Sequence, residues 1–85
     1  MTFDVKLLVF LKDGILDTQG KAVAGSLKRL GFDAVKDVRV GKYIRLSLQA
    51  DDQAAAEKAV AQMCSDLLVN DIIEDWSAEY EEGRR

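Results

Sequence analysis

The amino-acid sequence predicts an α+β fold of order β-α-β-β-α-β, an antiparallel sheet carrying two helices on one face. Three observations lead there. Residues 3–11 alternate with period two, as a strand with one face in a core does. Residues 35–49 repeat that alternation on both sides of Gly41-Lys42, which reads as a hairpin. Two stretches of helical spacing, about 18–30 and 52–69, follow the first strand and the hairpin. Two crossovers with a hairpin between them give a ferredoxin-like, split β-α-β arrangement. The 85 residues are read as one domain spanning 1–85, because a second would have too little surface to bury. Size scaling gives a folded surface of roughly 5,000 Å², so the core is adequate but thin.

In the first strand Phe3, Val5, Leu7, Val9 and Leu11 make a wholly apolar face; Asp4, Lys6, Leu8 and Phe10 make a mixed one. Asp13-Gly14 breaks the run. Asp17 is placed to cap the first helix by accepting bonds from its free N–H groups. Val23, Leu27 and Leu30 form the helical stripe, and Gly31 suits the left-handed position after the last turn. Gly20 and Gly25 weaken the intrinsic helix propensity, with Gly25 the expected point of close packing on the sheet. Val38 and Val40, then Ile44, Leu46 and Leu48, supply the inward positions of the hairpin. Asp51-Asp52 caps a second helix whose stripe is Ala56, Val60, Met63, Cys64 and Leu67, with Asn70 as its terminator. Residues 72–81 resume an extended pattern with Trp76, Ala78 and Tyr80 on one face.

Composition excludes more than it assigns. There is no His, which removes the commonest general base and His-ligated metal sites. A lone Cys64 forms no internal disulfide or Cys-x-x-Cys site, and one thiol fits a reducing, cytoplasmic setting. No apolar run reaches the length of a membrane helix, and the first residues do not read as a secretory signal. The net charge is −3, unevenly spread. Asp71, Glu74, Asp75, Glu79, Glu81 and Glu82 are acidic before Arg84 and Arg85 close the chain, whereas Lys36, Arg39, Lys42 and Arg45 cluster near the hairpin turn. An acidic chain is a poor match to nucleic acid, and Gly41-Lys42-Tyr43-Ile44-Arg45-Leu46 lacks the aromatic core of an RNA-recognition strand.

No catalytic constellation emerges. Cys64 lies on an apolar stripe with no cation one turn away to stabilise a thiolate. Glu74 and Asp75 are neighbours on a strand and point to opposite faces. Asp51 and Asp52 are explained by capping. The glycines between the first strand and first helix lack the Lys-Ser/Thr of a phosphate loop. Helices on one sheet face leave the other bare, where Leu8, Phe10, Tyr43 and Ile73 are expected beside charged residues. Such a face is costly to leave wet, so a homo-oligomer, dimer or tetramer, is expected through it.

Several segments together resemble one family. These are Val5-Lys6-Leu7-Leu8-Val9-Phe10-Leu11-Lys12, Ile15-Leu16-Asp17-Thr18-Gln19-Gly20, Val38-Arg39-Val40-Gly41-Lys42-Tyr43-Ile44, Cys64-Ser65-Asp66-Leu67-Leu68-Val69-Asn70 and Ile72-Ile73-Glu74-Asp75-Trp76. In collinear order they resemble the small S subunit (PurS) of bacterial and archaeal phosphoribosylformylglycinamidine synthase. The chain departs from the common pattern at Thr18, where Pro is frequent, and at Arg45, where an acid is frequent.

The resemblance implies an accessory subunit in purine biosynthesis. A glutaminase (Q) subunit releases ammonia, and a synthetase (L) subunit uses ATP, with Mg, to activate the amide oxygen of formylglycinamide ribonucleotide. The S subunit docks the two and assists ammonia transfer, with no catalytic, cofactor or metal residue of its own. Leu8, Phe10, Arg39, Lys42, Tyr43, Arg45, Glu74, Asp75 and Trp76 are the expected contact residues. The alternative from the residues alone is a ferredoxin-like regulatory domain that senses a small molecule between subunits. A ferredoxin-like acyl phosphate hydrolase is disfavoured, because no glycine-rich anion loop with a placed Arg is present.

Overall fold

The computed structural model describes residues 1–83; Arg84 and Arg85 lie outside the described residues. The elements are β1 (Thr2–Leu11), α1 (Thr18–Arg29), β2 (Lys42–Gln49), α2 (Gln53–Met63), a π-helical turn (Cys64–Leu68) and β3 (Glu74–Glu82). The sheet is antiparallel, with order β2-β1-β3. The antiparallel sheet and two helices of the predicted ferredoxin-like order are present.

The most apolar strand takes the centre because only there is each inward residue flanked on both sides. Leu7 lies between Ile44 and Ala78, Val5 between Leu46 and Tyr80, and Val9 between Lys42 and Trp76. Phe3, Val5, Leu7 and Val9 are all buried to 3% exposure or less. Over them α2 lays Ala56, Val60 and Cys64, all buried. Asp52 starts that helix by accepting the Ala55 N–H at 2.8 Å. The helix does not simply run on to residue 69. A π turn intervenes, with the Val69 N–H bonded to the Cys64 carbonyl. The buried row therefore steps by four from Ala56 to Cys64 and by five to Val69. That extra residue carries Leu67, expected on the stripe, out to 83% exposure. Asn70 then ends the element, its side chain accepting the Ile72 N–H and its carbonyl the Ile73 and Glu74 N–H groups.

Two further features differ from expectation. The hairpin over 35–49 does not form: β2 begins at Lys42, and residues 35–41 join no ladder among the described residues. Other interactions hold this segment. The Val40 N–H is taken by the Asp17 carboxylate at 2.7 Å, and the Arg39 guanidinium bonds the Leu11 carbonyl at 3.0 Å. The second difference is α1, none of whose residues belongs to the sheet core. Its N-terminal cap and its end are as read: Asp17 accepts the Gly20 N–H, and Gly31 has φ +97°. Its stripe is not buried, for Val23 and Leu30 are exposed. The close approach falls at Gly20 rather than Gly25. A Cβ on Gly20 would collide with the Val38 carbonyl and the Asp17 carboxylate, whereas at Gly25 it would meet only the Arg29 side chain.

The molecule is accordingly a sheet with one helix upon it and an arm, α1 plus residues 33–41, beyond one end. Its extents are 50 × 29 × 15 Å and its radius of gyration 16.6 Å, against about 12 Å for a compact chain of this length. A core so thin depends on single residues. Leu7→Ala, at a site with no exposure, is expected to lower the unfolding free energy by about 2–5 kcal/mol. Urea titration followed by Trp76 fluorescence measures it.

Candidate functional site

Ladder register sorts the expected contact residues onto two faces and the arm. Leu8, Phe10, Tyr43, Arg45 and Asp75 share the outer face, away from α2. Tyr43 lies opposite Leu8, and Phe10 opposite Asp75. One row further along, Arg45, Lys6 and Glu79 lie abreast, and beyond them Ser47 donates to the Asp4 carboxylate at 2.8 Å. The outer face thus has an apolar centre of Leu8, Phe10 and Tyr43, all exposed, with bases toward β2 and acids along β3. Ile73 stands one residue before β3, half-buried, its carbonyl accepting the Lys12 N–H.

Glu74 and Trp76 are on the inner face and are engaged within the chain. Trp76 packs on the core beside Val9. Glu74 accepts the Asn70 N–H at 2.8 Å and stands 4.0 Å from the Lys42 ammonium. Arg39 belongs to the arm, where it also stands 3.8 Å from Asp13. The strand segment 74–76 is therefore divided between faces, and only Asp75 is offered outward.

A cavity of about 350 Å³ at the arm–sheet junction is lined by Phe10, Ile15, Leu16, Asp17, Lys42 and Glu74 among others, and its Lys42 and Glu74 face one another. A second, of about 380 Å³, is lined by Leu46 of β2 and by Gln62, Met63, Asp66, Leu67 and Leu68. Burial, and then the Asp71 charge, push the Cys64 thiol up, so it stays neutral and inert. Tyr80 is likewise pushed up, first by burial and then by Glu57 and Cys64. Among the described residues, no three Cys, Asp or Glu side chains are grouped to hold a metal ion, and no helix is long and apolar enough to cross a membrane.

Comparison with known proteins is consistent along the chain. The family model PurS, phosphoribosylformylglycinamidine (FGAM) synthase, matches residues 4–82. The phosphoribosylformylglycinamidine synthase subunit PurS of Bacillus subtilis is 41% identical over 80 residues, which are 94% of this chain and 94% of that one. Among solved structures, Methanocaldococcus jannaschii PurS, one of the subunits of formylglycinamide ribonucleotide amidotransferase in the purine biosynthetic pathway, superposes with a TM-score of 0.87 at 28% identity. It covers 96% of this chain and 99% of that chain. A chain from PurLQS of Thermotoga maritima reaches 0.88 at 26% identity, over 95% and 99% of the two chains.

The structure gives physical content to two of the segments that carry this resemblance. Leu16-Asp17-Thr18-Gln19-Gly20 and Val38-Arg39-Val40-Gly41-Lys42 are clasped together. One Asp17 oxygen takes the Gly20 N–H at 2.8 Å and the other the Val40 N–H at 2.7 Å. Gly20 is the residue that lets the Val38 carbonyl come close. Gly41 lets the chain pass over β1, since a Cβ there would lie 2.5 Å from the Val9 carbonyl. Reading the sequence found the capping half of Asp17's role; the tie to Val40 spans 23 positions and has no local signal. The Gly20 N–H, then the Val40 N–H, hold the Asp17 carboxyl below its ordinary value of 3.8, aided by Arg39 and opposed by burial. A lowered pKa stabilises the folded form above the ordinary value, and that contribution is lost as pH falls through the lowered one. The Gly20 and Val40 amide resonances are therefore expected to titrate together, with one midpoint below 3.8, and to lose that titration in Asp17→Asn. An NMR pH series measures both.

Proposed function

The chain belongs to the PurS family, and on that premise we propose that it serves phosphoribosylformylglycinamidine synthase as a bridge without an active site of its own. Synthetase and glutaminase subunits are its partners in purine biosynthesis. Glutamine yields ammonia at one centre, and ATP with Mg in the synthetase activates the amide that ammonia attacks at the other. Ammonia released into neutral water is mostly protonated and no longer nucleophilic. Two centres held in one sealed assembly keep it reactive through proximity and exclusion of water. A small subunit contributes to that by geometry alone, and a cytoplasmic setting suits such an assembly.

The observation that carries this reading is the outer face. Leu8, Phe10 and Tyr43 are exposed together between Arg45 on one side and Asp75 and Glu79 on the other. Bases on one flank and acids on the other make the face self-complementary about a two-fold axis, so we assign it to association of copies into a homo-oligomer. Arg39 and Lys42, at the end of the sheet, are assigned to the larger subunits.

The test is product formation from glutamine by the cognate synthetase and glutaminase, with and without this chain, and from ammonia as control. Only the glutamine-dependent rate is expected to need the chain. Arg39→Glu with Lys42→Glu is expected to weaken binding to the partners about tenfold, measured by titration calorimetry. Equal rates with and without the chain, and no ternary complex, overturn the reading.

A further inference from the structure

We propose that Asp17 is a positioning residue for docking: through its bond to Val40 it presents the Arg39 guanidinium as a fork for a carboxylate of a larger subunit. This rests on the bridging role and deepens it, naming the contact and the residue that sets it. Asp17 carries one acceptor more than a helix cap needs. A cap is served by one side-chain oxygen, which Asn or Ser supplies about as well as Asp. Here one Asp17 oxygen does that work, taking the Gly20 N–H at 2.8 Å. The other reaches 23 positions along the chain to the Val40 N–H at 2.7 Å. What the second bond fixes is the backbone beside Arg39.

Residues 39–41 are held from both sides. Asp17 grips them at Val40, and Gly41 lies so close on β1 that a Cβ there would collide with the Val9 carbonyl. Arg39 is fixed at its far end as well, where Nη2 donates to the Leu11 carbonyl at 3.0 Å. That bond uses one N–H of a group that has several. Among the described residues the other guanidinium donors have no hydrogen-bond acceptor. Nη1 stands 3.8 Å from Asp13, whose side chain is fully exposed; so loose a surface pair is worth little, and a partner's carboxylate can replace it.

The Arg39 side chain is itself 46% exposed. It is a planar cation stretched between two anchors, and such a group takes a carboxylate bidentately. Because it is already held, it loses less side-chain freedom on docking than a swinging cation does. Other cations nearby are engaged differently. Lys42 faces Glu74 at 4.0 Å, and Lys6 and Arg45 lie abreast of Glu79 on the outer face.

Asp17→Asn separates the two bonds. Its amide has one accepting oxygen and a nitrogen that only donates, so the cap is kept and the Val40 N–H loses its acceptor. Asp17→Ser, a shorter side chain that also caps, serves as the second variant. Circular dichroism and light scattering of both are expected to match the unaltered protein. Hydrogen exchange at the Val40 amide is expected to quicken at least about tenfold. Binding to the cognate synthetase and glutaminase, titrated by calorimetry, is expected to weaken about fivefold in Asp17→Asn and about fivefold in Arg39→Gln. With both changes in one chain the loss is expected to stay at about fivefold rather than reach about twenty-five-fold, because Asp17 acts through Arg39. Additive losses overturn the proposal, since a looser fold weakens binding whether or not Arg39 is there. Unchanged exchange at Val40 overturns it too. So does undiminished binding of either single variant while the unaltered chain forms the ternary complex and supports the glutamine-dependent rate; the bridging role then stands without this contact. Failure of the unaltered chain to form that complex overturns both.

Discussion

The inner face of β1 is the constraint from which the rest follows. Four apolar side chains in alternation cannot sit at a sheet edge, so β1 must be flanked on both sides and roofed. β2 and β3 flank it, and α2 roofs it with the small residues Ala56, Val60 and Cys64. Small residues let the helix come close over the central strand, but they cover little of the strands beside it. Ile44, Leu46 and Leu48 on one side, and Trp76, Ala78 and Tyr80 on the other, are therefore only half-buried. The thin core predicted from chain length is thus concentrated in a single strand–helix seam.

The sequence was most legible where pattern and burial coincide. The first strand, both N-caps, the Gly31 stop and the inward alternation of β2 and β3 are local consequences of residue type, and the structure keeps each. What escaped was set by contacts distant along the chain. Val38 and Val40 alternate as a strand would, yet the Asp17 carboxylate competes for the Val40 N–H and holds it on the arm. Leu67 sits at helical spacing from Cys64, but the π turn shifts the phase by one residue, and no residue type in Cys64-Ser65-Asp66-Leu67-Leu68 announces it. Gly20 and Gly25 are indistinguishable in composition, and only the path of residues 38–40 decides which one needs to lack a side chain.

The expected contact residues divide on the same principle. Leu8, Phe10, Tyr43 and Arg45 lie on one face because period two and the ladder register require it. Glu74 and Trp76 are expected contact residues from the sequence, but each has a partner within the chain. Glu74 caps the turn after α2, and Trp76 fills space beside Val9. The Glu74 carboxylate already accepts a backbone N–H and its side chain is only 18% exposed, against 58% for Lys42, so of that pair the lysine is the one offered outward. Asp75, the one residue between them, has no such engagement among the described residues and faces outward.

The clasp also explains why segments far apart in the chain carry the resemblance as a set. The second half of Asp17's role needs Val40 presented to it, and the backbone passes closely at Gly20 and Gly41 on the way. The clasp adds nothing to the sheet core, which is complete without the arm. What it fixes is the direction in which the arm leaves the sheet. The proposed bridging role, which works through geometry, is served by fixing that direction. An arm free to swing would lose orientational entropy on every association, whereas one held by two charge-assisted hydrogen bonds has met that cost in folding.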